Sequence, residues 1–449
     1  MLKEAWTLSI ETLSWMQMRR LSEPLALSRT VKQLAMDDHN AVRMAHLLVS
    51  ETVRRQNFID EFVNNVMKPN SLDEFNLGTQ AFLRLYVYKT RIAKNWARAD
   101  FREAESIVRL ARSILGWKTL QPVEPILGAL LTRRPSSVFE GRSDEEQIGL
   151  RTFHPTWFVR YCLKLFGRSE TMEMLQANME PPPRYLRINT LKAKDSEILE
   201  RLAQERIGVE KVNRLKHAYE VKAASQPITR TKSFQEGLFY LQDKASCFAV
   251  EAGNPARNMT VFDVCAAPGA KTAYLAQLMQ NEGEIISVDY SGRRMDTWKN
   301  QLASTGVEIA EPMVADARAY LPLAVKADLL ILDPPCTGTG TFGRSPSAKW
   351  RLAPNSIEKM AEVQWQMLNN CSDYVKPGGK LVYSTCSITV EENEMLIERF
   401  VKWHSEFLLT EIKPEIGSPG LRGLEKCQRL FPHVHRCNGF FIAKMVKTE

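Results

Sequence analysis

"MTVFDVCAAPGAKTAYLAQLMQ", residues 259–280, decides the fold class of this chain. An apolar run over 259–264 is followed by a turn of small residues and then by a helical pattern from Lys271. Further apolar runs end in carboxylates, at Asp289, Asp316 and Asp333. Repeated strand–helix units with short connections predict an α/β domain whose mostly parallel sheet is covered by helices on both faces. In such a sheet the ligand lies along the carboxyl ends of the strands.

The chain on the N-terminal side of this domain has a different pattern of apolar residues and glycines. Residues 1–150 contain apolar stripes at helical spacing, as in "NFIDEFVNNVM" (57–67), and the first glycine is Gly78. We predict a separate all-α bundle there, then a small α+β RNA-binding module over 151–235, and the α/β domain over 236–449. The bundle has basic residues that predict either an RNA-facing patch or a solvated helix face: Arg54, Arg55, Arg84, Lys89, Arg91 and Lys94.

Composition limits the class of protein. Hydrophobic residues make up 44% of the 449 residues and charged residues 25%, no run approaches the ~18 apolar residues of a membrane span, and the charged N-terminus is not a signal peptide. Eight scattered cysteines without a C-x-x-C pair predict free thiols in a reducing cytoplasm. A net charge of +8 favours a nucleic-acid partner, although a solvated basic surface would give the same number.

The loop after the first strand predicts a nucleoside cofactor. "DVCAAPGAKT" is neither G-x-G-x-x-G nor a Walker loop, and Gly269 allows close approach of a ligand to the backbone. Asp289 is placed to accept the hydroxyls of a ribose, and Asp316 to accept from an adenine amino group. These strand-end carboxylates, with Asp263 before the loop, favour S-adenosylmethionine. The predicted cofactor-binding residues are Cys265, Ala266, Ala267, Pro268, Gly269, Ala270, Lys271, Asp289, Asp316 and Asp333.

Two cysteines follow strands at the same predicted edge: Cys336 in "DPPCTGTG" (333–340) and Cys386 in "YSTCS" (383–387). A thiolate that adds to C6 of a cytosine makes C5 nucleophilic, and a second group can help to expel the adduct, so two thiols are compatible with methylation at C5. Chemistry alone does not say which cysteine attacks, and the Pro-Cys pair of DNA cytosine-5 enzymes would nominate Cys336. For Cys162, Cys247 and Cys371 we predict buried hydrophobic packing instead.

These motifs resemble the Sun/Fmu-type RNA cytosine-5 methyltransferase family. "DVCAAPGAKT", "DPPCTGTG" and "YSTCS" followed by "EENE" carry the resemblance, with "HPTWFVRYCLKLFG", "RINTLK", "GLFYLQDKAS" and "FPHVHRCNGFFIA" as flanking motifs over roughly 150–449. The first 150 residues resemble in texture the NusB-like domain of the ribosomal-RNA branch. Ala270 replaces a usual glycine and Asn438 a usual aspartate, so we transfer no role to Asn438.

The resemblance implies a Rossmann-like class I methyltransferase domain and assigns the catalytic roles. Cys386 would be the nucleophile, Cys336 would assist breakdown of the adduct, and Asp333 would hold the N3 edge of cytosine and donate a proton there, which requires a raised pKa. The implied substrate is a cytosine in RNA, favouring small-subunit ribosomal RNA over transfer RNA, and we expect a cytoplasmic monomer. The basic stretches "RYLRINTLK" and "RSPSAKWR" are predicted to contact phosphates.

Other interpretations stay open at the level of sequence. An amino-group methyltransferase acting on adenine N6 or cytosine N4 would place an aromatic residue where Cys336 stands. A non-catalytic RNA-binding assembly factor would not need both thiols and a complete cofactor loop. Cys427, His433, His435 and Cys437 lie close together but fit no standard zinc finger, so we predict no metal and an edge strand near the base.

Overall fold

The computed structural model describes residues 1–93 and 101–448. The chain divides into two compact units, Met1–Glu180 with Arg344–Leu352, and Pro181–Gly343 with Ala353–Glu449. Among the described residues, no helix combines the length and the apolar character needed to span a bilayer.

The helices in chain order are α1 Leu2–Arg19, α2 Glu23–Leu34, α3 His39–Arg54, α4 Gln56–Met67, α5 Leu77–Val87, α6 Phe101–Leu115, α7 Trp117–Leu120, α8 Glu124–Thr132, α9 Asp144–Thr152, α10 Thr156–Phe166, α11 Arg168–Ala177, α12 Asp195–Gln204, α13 Lys232–Gln235, α14 Lys244–Gly253, α15 Ala270–Met279, α16 Gly292–Ala303, α17 Ala348–Arg351, α18 Asn355–Ser372, α19 Glu394–Trp403 and α20 Pro432–His435. The strands are β1 Tyr185–Ile188, β2 Ile207–Lys211, β3 Ala218–Ala224, β4 Phe239–Leu241, β5 Met259–Val264, β6 Gly283–Asp289, β7 Ala310–Val314, β8 Ala327–Leu332, β9 Val375–Thr385, β10 Phe407–Thr410, β11 Ser418–Pro419, β12 Gln428–Leu430 and β13 Phe440–Lys447.

The first unit is helical, as the apolar spacing predicts. In α4 the side chains of Phe58, Phe62 and Val63 are buried in the core of this unit, so the predicted stripe is the packed face. Helix α3 begins after Asp38, whose carboxylate accepts the N–H groups of residues 40 and 41 and satisfies two of the donors that a helix start leaves free.

Basic residues predicted to face RNA from this unit are mostly used inside it. Arg54, Arg84 and Arg91 are buried, and Arg84 pairs with Asp60 at 2.6 Å. Their guanidinium groups therefore do not form a phosphate-binding surface, and the prediction is wrong for these three. Lys94, also predicted there, lies outside the described residues.

Segment Arg344–Leu352, which contains α17, belongs to the first unit although its neighbours in sequence belong to the second. Lys349 is buried there and donates from Nζ to the carbonyls of Arg54, at 3.1 Å, and Phe153, at 2.7 Å. These carbonyls lie at the C-terminal ends of α3 and α9, where the helix leaves them without a partner of its own. The prediction that Lys349 contacts phosphate is therefore wrong.

The second unit begins with a four-stranded antiparallel sheet in the order β2-β3-β1-β4. "RYLRINTLK" forms β1 as an extended segment, but its Arg187 is buried. The guanidinium donates to Gln242 at 2.8 Å and lies 4.6 Å from the centre of the Tyr274 ring. Arg187 therefore stabilises the protein interior, which corrects its prediction as a phosphate contact.

The large sheet has the strand order β11-β12-β13-β9-β8-β5-β6-β7, and β10 also pairs with β13. Strands β5 to β9 pair in parallel, whereas β10 to β13 pair antiparallel. Buried apolar residues fill the inner parallel strands β5 and β8, as helices on both faces of the sheet require, so the predicted α/β fold is confirmed. The chain proceeds from β5 outward to β7 and then crosses to β8, which creates a switch point between β5 and β8.

The compact units do not follow the boundaries predicted at 150 and 235. Helices α10 and α11 cluster with the first unit, and the small sheet clusters with the large one. The division into a NusB-like domain, a small RNA-binding module and a methyltransferase domain remains a prediction.

Candidate active site

The predicted cofactor loop occupies the switch point of the large sheet. β5 ends at Val264, and the Ala266 N–H donates to the carbonyl of Val288 at the end of β6. Gly269 has φ +108°, and a Cβ at this position would overlap the side chain of Leu302. Helix α15 begins at the next residue, so its first N–H groups point out of the loop. The backbone at Gly269 thus has a conformation that only glycine adopts without strain.

The carboxylate of Asp289 supports this loop directly. Asp289 is the last residue of β6, is buried, and accepts the N–H of Ala267 at 3.3 Å and that of Ser291 at 3.2 Å. Asp316 lies two residues beyond β7, is 39% exposed and pairs with Arg318 at 2.6 Å. The sequence predicts similar positions for the two carboxylates, but in the structure Asp289 is buried and Asp316 is exposed.

Asp263 lies behind the loop and not at its surface. Its side chain is buried and accepts the hydroxyl of Thr272 at 2.6 Å, and Thr272 also accepts the indole N–H of Trp298 at 2.9 Å. Burial raises the pKa of Asp263 to about 6. Asp263 thus joins β5 to α15 from inside.

The two predicted thiols lie together. The Sγ atoms of Cys336 and Cys386 are 3.2 Å apart, and both residues are half-buried. The hydrogen bond with Cys386, and then burial, raise the pKa of Cys336 well above that of an ordinary thiol. The Cys336 sulfur therefore keeps its proton at neutral pH and can donate it to the sulfur of Cys386.

Asp333 adjoins the thiols and has a partner that the sequence did not reveal. Lys271 Nζ lies 2.5 Å from Asp333 Oδ2, and the Ser384 hydroxyl donates to Asp333 Oδ1 at 3.1 Å. Burial lowers the pKa of Lys271, but the charge and hydrogen bond of Asp333 outweigh burial and the net pKa is raised. Lys271, predicted as a cofactor-loop residue, is thus the ion-pair partner of the carboxylate predicted to hold the base.

Comparison with known proteins places this site in a family. Residues 250–446 match the model of the 16S rRNA methyltransferase RsmB/F, and residues 154–227 match its ferredoxin-like domain. A "Probable ribosomal RNA small subunit methyltransferase B" from Synechocystis sp. is 31% identical over 418 residues, 89% of this chain and 90% of that one. The chain belongs to the RsmB/F methyltransferase family.

One further relative covers nearly all of this RsmB/F family member, and one solved structure covers about two thirds of it. A protein of the same name from Bacillus subtilis is 28% identical over 451 residues, 98% of each chain. The crystal structure of NSun6 from Pyrococcus horikoshii with SFG, an S-adenosylmethionine analogue, has a TM-score of 0.60 and 26% identity over 65% of this chain and 97% of that one. The predictions of the family, the enzyme class and S-adenosylmethionine as the cofactor are confirmed.

The residues of this RsmB/F site fit S-adenosylmethionine by their chemistry. The carboxylates at the ends of β6 and β7 accept hydroxyl and amine protons, which a nucleoside supplies. The start of α15 offers backbone N–H groups and the positive end of the helix dipole to the carboxylate of an amino acid.

The His/Cys cluster of the family member is not the predicted edge strand. Residues 432–435 form the short helix α20, so His433 and His435 do not alternate along a strand, while Cys427 and Cys437 are buried. Pro432 favours this helix start because its ring fixes φ. Among the described residues no group of His, Cys, Asp and Glu is arranged to hold a metal ion.

Proposed function

We propose that the protein methylates C5 of a cytosine in small-subunit ribosomal RNA through a covalent bond between Cys386 and C6 of the base. The observation that carries the proposal is the 3.2 Å separation of the two thiols beside Asp333. An enzyme that methylates an exocyclic amine needs no thiol adduct, so this pair favours C5 chemistry over amino-group transfer.

The loop 265–271 would hold the cofactor together with Asp289, Asp316 and Asp333. Bound there, S-adenosylmethionine supplies an electrophilic methyl group on a sulfonium. Asp289 keeps the loop in place through the Ala267 N–H and offers its remaining acceptor capacity to a ribose. The exposed Asp316 can turn toward an adenine amino group if it leaves Arg318.

Cys386 is the nucleophile in this proposal. The two sulfur atoms are in contact, and the resemblance of "YSTCS" to the family's motif assigns the attack to the sulfur of Cys386. The thiol of Cys386 loses its proton to solvent, its sulfur forms a bond to C6, and the electron pair of the C5–C6 double bond attacks the methyl group from C5. A water molecule then takes the C5 proton, the electron pair of that C–H bond re-forms the double bond, and the sulfur–C6 bond breaks. Cys336 assists this last step by donating its S–H to the departing sulfur.

Asp333 and Lys271 would hold the other side of the base. N3 of cytosine becomes basic once sulfur has added to C6, and it then needs a proton. Lys271 remains protonated beside Asp333 and can deliver a proton through this carboxyl group. The pair is thus suited to stabilise the adduct without solvent.

The two cysteines are expected to fail differently when replaced. Cys386→Ala should abolish methylation and form no covalent complex with RNA, whereas Cys336→Ala should accumulate a protein–RNA adduct that survives a denaturing gel. RNA that contains 5-azacytidine should trap the wild-type enzyme. Cys371→Ala is the matched control, because Cys371 is buried in the core away from the pair.

The opposite pattern of adducts would reverse the roles, and two fully active variants would refute the thiol mechanism. Mass spectrometry of RNA nucleosides distinguishes 5-methylcytosine from N4-methylcytosine and from no product, the result for an assembly factor. Bisulfite mapping of total RNA with and without the protein identifies the modified molecule, and a transfer-RNA site would refute the ribosomal substrate.

The proposal includes a location and a role for the helical unit. Free thiols at all eight cysteines suit the cytoplasm, and a single chain contains both thiols, the ion pair and the loop, so we expect a monomer. A NusB-like unit would contact RNA through arginines that the structure leaves exposed, such as Arg19, Arg20 and Arg29.

A further inference from the structure

Glu392 is a completely buried carboxylate next to the two thiol loops. It belongs to the "EENE" segment that follows Cys386 in sequence, and the chemistry proposed above gives it no role. A buried carboxylate is costly unless donors surround it, so its partners show what it does for the fold.

Both oxygens of Glu392 accept hydrogen bonds from the thiol loops. Oε1 accepts from the Thr337 N–H at 2.8 Å and from the Gln364 amide at 2.9 Å. Oε2 accepts from the hydroxyls of Thr337 and Ser387, both at 2.5 Å, and of Thr389 at 2.9 Å. All of these partners donate, so the side chain acts only as an acceptor.

Two of these partners stand directly after the thiols. Thr337 follows Cys336 and Ser387 follows Cys386. We propose that Glu392 is a positioning residue that fixes the distance between the two sulfur atoms by holding both loops on one carboxylate. Its consequence for catalysis rests on the function proposed above, whereas its effect on the sulfur–sulfur spacing does not.

Glu392 is itself anchored to the sheet and to the first loop. Its carbonyl accepts the hydroxyl of Tyr383 in β9 at 2.7 Å. Gln364 of α18, which donates to Glu392, also donates to the carbonyl of Pro335 at 2.9 Å. Glu392 is therefore hydrogen-bonded to a strand, to a helix and to both thiol loops, which holds it in one position, as a positioning residue requires.

A glutamine would disturb this arrangement. Glu392→Gln keeps the size but replaces one acceptor oxygen by an NH2 group. On the Oε1 side this group would face two obligatory donors, and on the Oε2 side it would force the hydroxyls to turn from donating to accepting. Thr337→Val removes one hydroxyl from the first loop and keeps its backbone N–H. Glu394→Gln is the control for a neighbouring buried carboxylate: Glu394 pairs with Arg429, which donates to the Ile388 carbonyl, but Glu394 binds neither Thr337 nor Ser387.

The test measures thiol geometry and chemistry separately in the full-length protein. Dibromobimane becomes fluorescent when it bridges two neighbouring thiols, and peptide mass spectrometry assigns the bridge to Cys336 and Cys386. The rate of adduct formation with 5-azacytidine RNA reports the chemistry. Circular dichroism at the assay temperature selects variants that remain folded.

We expect Glu392→Gln and Thr337→Val to slow bridging and adduct formation about 10- to 100-fold, the cost of misplacing reacting groups by about 1 Å. Glu394→Gln should keep both rates near wild type. Wild-type bridging by folded Glu392→Gln, or equal losses in Glu394→Gln, would overturn the proposal. If Glu392→Gln does not fold, unchanged rates in Thr337→Val overturn it. Slower bridging in a protein whose wild type forms no RNA adduct would support the positioning role and refute the proposed function.

Discussion

Replacing Asp263 by asparagine should change how the stability of the second unit depends on pH. Burial raises the pKa of this carboxyl from 3.8 to about 6. Each pKa unit corresponds to about 1.4 kcal/mol, so the ionised, buried carboxylate costs the folded protein about 3 kcal/mol at pH 8. The Asp263→Asn substitution would keep the size of the side chain and an oxygen to accept the Thr272 hydroxyl, but it would remove the charge.

The direction of the change in unfolding free energy with pH follows from the number of protons that the folded and unfolded chains bind. Between about pH 4 and pH 6 the folded protein holds a proton on Asp263 that the unfolded chain has released. The free energy of unfolding of the wild type therefore falls as pH rises through this window, and that of Asp263→Asn lacks this fall. The difference between the two proteins should change by about 3 kcal/mol between pH 4 and pH 8 in favour of the variant.

Hydrogen exchange in increasing urea, measured on peptides from β5 and α15, gives the unfolding free energy of this region at each pH. Taking the difference between wild type and variant cancels other ionisable groups. A difference that stays constant within about 1 kcal/mol over the whole range would refute the reasoning, because the carboxyl would then titrate alike in the folded and unfolded chains.

Three other perturbations test separate parts of the structure. Asp289→Ala should weaken S-adenosylmethionine binding, measured by calorimetry, about 10-fold or more, because the ligand loses a charged acceptor and the loop loses a contact. Asp316→Ala should weaken binding less, because Asp316 is exposed. Equal affinities of Asp289→Ala and the wild type would remove Asp289 from the pocket. Lys349→Met should lower the free energy of unfolding by about 1–3 kcal/mol, because two helix-end carbonyls lose their donor, and an unchanged melting temperature would contradict this. RNA binding should weaken linearly in log affinity against log salt, and a flat response would exclude binding through phosphates. Methylation should require RNA, and equal methylation of the matching DNA would refute that preference.

Local sequence determined the strands and helices of the α/β domain and the edge of the sheet at which Cys336, Cys386 and Asp333 lie. The apolar run 259–264 is β5, with the predicted bounds, and the parallel order follows because each strand leads into a helix that must return over the sheet. Strand-end residues meet at one edge for the same reason, so Cys336, Cys386 and Asp333 could be placed together from their positions alone.

Burial and partners were decided only by the tertiary structure. Charge predicted Lys349, Arg187 and Arg84 as surface groups, but each is enclosed where carbonyl, amide or carboxylate oxygens from other elements converge. The sequence around each of these residues does not show that oxygens will surround it, because the residues that supply these oxygens are far away along the chain. Asp263 and Asp289 look alike at strand ends, yet one points behind the loop and the other supports it.

The same limit explains Glu392 and the short helix α20. In the sequence "EENE" carries only a family resemblance. The role of Glu392 in holding both thiol loops depends on donors between Thr337 and Thr389 that the fold brings together. Alternation in "HVHRC" predicts a strand, but this segment turns as a helix before β13 begins. The order of residues determines which chemistry the chain can perform, and the tertiary structure decides which groups are close enough to perform it, because distances between residues remote in sequence are set by packing.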